Sequence, residues 1–313
     1  MNNLVFPFKN DKYQELIKRI GWDSLEKWIN FCEEKQLIST LESFSENNFK
    51  YDWIWGVLFP LLSQAYSICI YEKTRKIIGI SALPGTGKST LGLLIEKLSL
   101  KLNIKIASIS IDDFYLPRKE MLIAVNNNPW GVSRGYPGTH DTELMKEKLN
   151  NWKKTGLLNV PTFDKSINSG LGDRSIWKNV KADLLIIEGW FLGVKPFFSK
   201  ETEDIEINPP ISSHENIYRT KIQNNLEKYV DIWKFIDILW HLKPEKFNYL
   251  NLWKIQQEKE MLLKKGISLS DKKLDNFLRM LNVSLPQKSF NKIKSEFLFL
   301  IDQERKLINL TLK

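Results

Sequence analysis

The chain has 313 residues, 42% hydrophobic and 27% charged, a balance that supports a packed core and excludes a disordered or collagen-like polypeptide. Its 11 Trp and 17 Phe point the same way, because chains that stay unfolded are poor in aromatics. The net charge of +9 comes from scattered basic residues such as Lys264-Lys265 and Lys272-Lys273, with Asp and Glu interleaved and no recognition-helix, zinc-finger or aromatic ribonucleoprotein pattern. That excess reads as a Lys-rich solvated surface and is also compatible with a basic cleft for anionic substrates.

Two cysteines, Cys32 and Cys69, make neither a disulfide framework nor a zinc site, so a reducing compartment is expected. Residues 1 to 9 carry no basic region followed by an apolar run, and no uninterrupted apolar stretch reaches the ~18 residues of a membrane span. The expectation is a cytoplasmic protein with no nucleic-acid or membrane partner.

In chain order, residues 1 to 72 read as a helical region, with helical spacing in Tyr13–Ile20 and again from Trp53 through Ile70. Trp53, Trp55, Leu58, Leu61 and Leu62 are expected in the core. Residues 73 to 313 then alternate between strands and helices. A β-branched run, Lys76–Ser81, is followed by a Gly-containing loop and an amphipathic helix from Ser89 to about Leu100. Further strands are expected at Ile104–Ile111, Ala182–Ile187 and Phe235–Leu242. Near-continuous apolar strands alternating with helices predict an α/β fold, a parallel sheet with helices on both faces and ligands at the carboxyl ends of the strands. Residues 118 to 178, rich in Asn, Gly and Pro, read as irregular loops of the functional or lid kind. The C-terminal third reads as helical and Lys-rich, ending in a strand pair at Phe297–Ile301 and Leu307–Leu312.

Ala82-Leu-Pro-Gly-Thr-Gly-Lys-Ser89 fits a phosphate loop with Ala in place of the usual first Gly. The strand before it and the helix after it are what the mechanism requires. Gly85 and Gly87 let the backbone wrap a polyanion, and the N–H groups of the loop and first helical turn point at phosphate. Pro84, Gly85, Thr86, Gly87, Lys88, Ser89 and Thr90 are therefore the candidate ATP-binding residues. Lys88 is placed to reach the β- and γ-phosphates, and Ser89 to give a hydroxyl to Mg²⁺.

Carboxylates decide what kind of P-loop protein this is. Asp112 and Asp113 follow one strand and Glu188 closes the next, so one carboxylate can serve Mg²⁺ while another orients an acceptor hydroxyl. No Asn-Lys-x-Asp guanine-reading motif is present. A kinase for a small acceptor is favoured over an ATP-binding regulatory protein without turnover, which needs no acceptor-activating carboxylate.

Ser110-Ile-Asp-Asp-Phe-Tyr115 resembles the strand-end signature of the uridine kinase, phosphoribulokinase and pantothenate kinase superfamily. Arg134–Asp141, Val160–Ser166 with Gly170–Arg174, and Ile187–Gly193 together resemble the D-glycerate 3-kinases of plants and cyanobacteria. Asn225–Asp231 and Trp253–Glu258 add to the likeness, which runs from about Ile77 to the C-terminus. The resemblance implies transfer of phosphate from ATP to D-glycerate, with Asp112 as catalytic base, Glu188 at the Walker B position and Mg²⁺ as cofactor. It also implies a substrate site from Asp113, Tyr115, Arg134, His140, Asp141, Asp164 and Lys165, with Arg174 clamping transition-state charge. Arg134-Gly-Tyr-Pro stands where plant glycerate kinases carry Arg-Gly-Asn-x, a departure close to the expected acceptor. Another acceptor, such as a nucleoside, pantothenate or a sugar phosphate, stays open.

Overall fold

The computed structural model describes residues 8–44, 50–198, 207–266 and 268–313. Residues 1–7, most of the N-terminal stretch read above for a signal sequence, lie outside the described residues, as do the side chains of Lys264 and Lys265. Helices α1 (Asn10–Arg19), α2 (Leu25–Glu34) and α3 (Leu37–Phe44) precede a longer helix, α4 (Tyr51–Glu72). Within α4 the backbone widens to π turns at Ile54–Leu58 and Ile68–Glu72.

Helix α4 qualifies the sequence expectation about membrane-length runs. It is long and apolar enough to cross a membrane by length and composition, yet 72% of its most apolar window is buried inside the molecule. Leu58, Leu61 and Leu62 are buried as expected, and Trp28 packs edge-on against Trp55. Trp240 Nε1 donates to Gln64 Oε1 at 2.9 Å, joining this helix to the sheet. One continuous apolar core runs from Tyr13 through the sheet to Leu310.

The strands are β1 (Ile77–Ala82), β2 (Ile106–Ser110), β3 (Leu157–Asp164), β4 (Asp173–Lys181), β5 (Leu184–Gly189), β6 (Ile238–Pro244), β7 (Phe297–Ile301) and β8 (Leu307–Leu312). Six form one sheet in the order β2-β5-β1-β6-β7-β8, parallel throughout except for the antiparallel β7–β8 pair. β1 and β5 are buried along their whole length, as strands covered on both faces must be. Helix α5 (Lys88–Lys101) leaves β1 through the phosphate loop and buries Leu91, Leu94, Ile95 and Leu98 against the sheet. Beyond it come α6 (Arg118–Ala124), α7 (Thr142–Thr155), α8 (Ser213–Trp233), α9 (Tyr249–Lys265), α10 (Asp271–Val283) and α11 (Gln287–Asn291).

The expectation of irregular chain between residues 118 and 178 is corrected. That segment holds α6, α7 and a two-stranded antiparallel sheet, β3 with β4. Met145, Leu149 and Trp152 recur at helical spacing and are fully buried, while Asp141 caps the start of α7 and Gly156 ends it with φ +75°. The Gly and Pro that signalled loops sit between these elements. The strand expected to run to Ile111 stops at Ser110, where the chain tightens into a 3-10 turn, Ile111–Phe114.

Candidate functional site

The phosphate loop is built for a polyanion. Gly85 (φ +78°) and Gly87 (φ +100°) both lie in the left-handed region. A Cβ on Gly85 would sit 2.7 Å from the Trp253 backbone, so α9 closes one side of the loop. A Cβ on Gly87 would meet no protein atom within 4 Å, so that side stays open. Thr86 is buried and donates to the Leu83 carbonyl at 2.6 Å, fixing the loop's turn. Lys88 opens α5, where the helix N-terminus favours negative charge. Pro84 and Thr90 flank the cradle.

Parallel pairing places the Walker B carboxylate beside this loop. Glu188 lies in register with Ile80 on one side and Ser110 on the other, so β5 carries it between the phosphate loop and the Asp112 turn. Ser89 Oγ donates to Glu188 Oε1 at 2.6 Å, and Lys88 Nζ lies 3.7 Å from Oε2. Oε2 is buried and makes no hydrogen bond. A hydroxyl and a buried carboxylate oxygen that makes no hydrogen bond, next to a phosphate cradle, fit a hard divalent cation. Among the described residues no group of three or more His, Cys, Asp or Glu side chains could hold a metal, so such an ion would depend on nucleotide oxygens as well.

Asp112 is the carboxylate of the turn that faces a lysine and a histidine. Its Oδ2 accepts from Lys165 Nζ at 2.7 Å, and its Oδ1 faces His140 Nε2 at 3.8 Å. Burial pushes its pKa up, but the Lys165 ammonium outweighs that and holds it well below the usual carboxylate range. Neighbouring Asp113 does a different job. Its Oδ2 accepts the Ser110 N–H at 2.8 Å while Ser110 Oγ accepts the Asp112 N–H at 3.2 Å, a capping box on the 3-10 turn. Burial, with smaller contributions from Asp112 and Glu188, raises the Asp113 pKa to about 6.

His140 is buried against aromatic rings. Tyr115 stacks on it at 4.4 Å, and Phe191 and Tyr229 meet its ring at steep angles. A β-bridge between Tyr115 and His140 ties the two backbones together. Burial lowers the His140 pKa, so the ring is neutral near pH 7.

Several residues expected to meet substrate are engaged by the protein itself. Asp141 spends one oxygen on the Leu144 N–H at 3.0 Å, capping α7, and the other on Arg174 at 2.8 Å. Arg174 also donates from Nε to the Tyr115 carbonyl at 3.0 Å, so it braces the wall of the site from β4. Asp164 accepts from Ser166 N and Oγ at 2.8 and 2.6 Å in a local turn. Arg134 donates to the carbonyls of Gly170 and Leu171 at 3.0 and 2.6 Å and lies 5.5 Å from the Phe163 ring centroid. Lys88, Ser89, Glu188, Asp112, Lys165, His140 and Tyr115 are linked through these contacts into one site.

Sequence reasoning missed two contributors. The Tyr229 hydroxyl meets His140 Nδ1 at 2.8 Å and accepts the Gly138 N–H at 3.0 Å. Arg305, on the β7–β8 turn, donates from Nε to the Gly85 carbonyl at 2.8 Å and lies over Trp253, buttressing the phosphate loop. Tyr229 lay inside a segment already singled out, at a period that buries one face of a long helix. Nothing local marked Arg305, because its partner is 220 positions away.

No family model matches the chain. It is 33% identical over 215 residues to the chloroplastic D-glycerate 3-kinase of Arabidopsis thaliana, a match covering 64% of this chain and 45% of that protein. It thus spans less than half the length of that relative. It is 32% identical over 227 residues to the uncharacterized kinase mug58 of Schizosaccharomyces pombe, covering 68% of this chain and 80% of that one. The solved D-glycerate 3-kinase of Cryptococcus neoformans superposes with a TM-score of 0.68 at 23% identity, over 81% of this chain and 99% of that one. That likeness is one of fold.

Proposed function

Because the chain belongs to a family of P-loop kinases and is similar to a D-glycerate 3-kinase, we propose that it transfers the γ-phosphoryl group of ATP to the 3-hydroxyl of D-glycerate. The observation that carries this most is the placement of Asp112. It stands one strand from Glu188 and two from the phosphate loop, paired with a cation and facing a buried imidazole.

The chemistry assigns each group a task. Loop N–H groups and Lys88 hold the phosphates, and Lys88 follows the γ-phosphate as charge spreads over its oxygens. Ser89 and the Glu188 oxygen that makes no hydrogen bond would hold Mg²⁺, which would supply neutralising charge to the phosphate oxygens. Asp112 accepts the proton of the acceptor O–H as that oxygen bonds to the γ-phosphorus. The bond from the same phosphorus to the β–γ bridging oxygen breaks, and ADP leaves with its electron pair. A carboxylate held at so low a pKa is a weak base. Its larger part is to orient the hydroxyl, and it takes the proton late in a loose transition state.

Glycerate needs a cation for its carboxylate, and Lys165 and Arg134 line the same side of the site as Asp112. A nucleoside would want an open aromatic slot. Tyr136 is buried, bonded to Tyr218 at 3.1 Å, and Phe163 is met by Tyr115 on its edge and by Arg134 on its face. Those contacts favour a small acid over a base. A screen of ATP consumption with D-glycerate, uridine, pantothenate and ribulose 5-phosphate tests the acceptor. D-glycerate should give the fastest turnover; consumption with uridine and none with D-glycerate would overturn it.

A further inference from the structure

His140 carries a polar atom that the fold leaves unused. Its ring is fully enclosed, yet Nε2 has no hydrogen-bond partner, and the nearest charged atom is Asp112 Oδ1 at 3.8 Å. That gap is too long for a hydrogen bond. A hydroxyl oxygen set to one side of the line joining them can stand about 2.8 Å from both.

Tyr229 decides which ring nitrogen carries the proton. Its hydroxyl is buried and has one proton to give. It accepts the backbone N–H groups of Gly138, at 3.0 Å, and of His140, and its side-chain contact is His140 Nδ1 at 2.8 Å. With the proton on Nδ1, the phenol would lose its acceptor and a bare Nε2 would face a carboxylate oxygen. Both costs vanish when Nδ1 accepts from Tyr229 and Nε2 bears the hydrogen.

We propose that Tyr229 locks His140 in the Nε2–H tautomer, and that this N–H donates to the acceptor's hydroxyl oxygen while Asp112 Oδ1 receives that hydroxyl's proton. The proposal builds on the kinase reading and deepens it. The acceptor oxygen gives a lone pair to His140 and its proton to Asp112, so the remaining lone pair is aimed by two fixed protein atoms. His140 gains and loses no proton in the reaction. Tyr229 is a positioning residue acting through His140, and Gly138, at φ +101°, presents the N–H that orients the phenol.

The ring nitrogens report the tautomer directly, without turnover. The chain has three histidines, so ¹⁵N-histidine labelling with a His140→Gln variant assigns the signals. In the unmodified protein near pH 7, His140 should show a protonated Nε2 and a bare Nδ1, and Tyr229→Phe should mix the two tautomers. Kinetics supply the second arm. His140→Gln, whose amide nitrogen stands near the place of Nε2, should retain at least ten times the kcat of His140→Leu, with the KM for ATP alike in both. An Nδ1-protonated ring in the unmodified protein, or equal kcat in the Gln and Leu variants, would overturn the proposal. No turnover of the unmodified protein on any hydroxy acid would instead sink the glycerate reading, and the nitrogen spectrum would still decide the tautomer.

Discussion

At the scale of single residues, neighbours in sequence divide into chemistry and support. Asp112 and Asp113 are adjacent, yet the first faces Lys165 and His140 and the second closes a capping box. Asp112→Asn should therefore cut kcat by roughly 10²–10⁴-fold with ATP affinity nearly unchanged. Asp113→Asn should do far less, because an amide oxygen can still accept the Ser110 N–H and the burial that raises the Asp113 pKa to about 6 already disfavours its charge. Steady-state kinetics on both variants check this; the reverse order would make Asp113 the base. Lys88→Ala should abolish turnover and leave the fold intact, as read by circular dichroism. Normal activity in that variant would remove the phosphate loop from the mechanism. The loop was legible in the sequence because its signal is local: eight consecutive residues between a strand and a helix. The brace of Arg174 on Asp141 and the bond of Tyr229 to His140 were not, since their partners lie 33 and 89 positions apart. Nor can a motif reveal that a capping bond and Arg174 have already taken up the two oxygens of Asp141.

At the scale of elements, the parallel strands were readable from β-branched apolar runs, and their ends moved by a few residues. Residues 118 to 178 were harder. Gly and Pro in the connections outweighed the Met145, Leu149, Trp152 stripe, and an antiparallel pair as exposed as β3–β4 carries no continuous apolar run. The long helix α8 is anchored at its start by Glu215. That carboxylate accepts from Ser212 N at 2.8 Å, from Arg279 on α10 at 2.7 Å and from Trp130 Nε1 at 2.9 Å. Burial alone would raise its pKa, but Arg279 and Ser212 prevail and bring it to about 2. A depressed carboxylate contributes stability that is present above its unfolded value of 4.5 and fades as pH falls toward 2. Glu215→Gln should thus cost about 3 kcal/mol at pH 7. Urea unfolding of both proteins from pH 7 to pH 3 should show the difference shrink below pH 4.5. A gap that stays constant with pH would assign Glu215 a packing role alone.

At the scale of the whole molecule, the N-terminal helices, the sheet and the C-terminal hairpin converge behind the phosphate loop. Trp53 Nε1 donates to the Arg305 carbonyl, Arg305 Nε to the Gly85 carbonyl, and Trp253 Nε1 to the Gln303 carbonyl. Helix α4 and the β7–β8 turn therefore support the nucleotide cradle. The helical spacing of residues 53 to 70 predicted burial but not this convergence, which depends on contacts across 252 positions. The rigid cradle sets where the γ-phosphate sits, and Asp112 with His140 sets which acceptor oxygen meets it. The account stands most directly on the product that forms from ATP and D-glycerate. Phosphorus and carbon NMR with mass spectrometry should identify 3-phosphoglycerate, absent with the Asp112→Asn variant at equal reaction time. Phosphate on the 2-hydroxyl, or ATP hydrolysis with no phosphorylated acid, would contradict it.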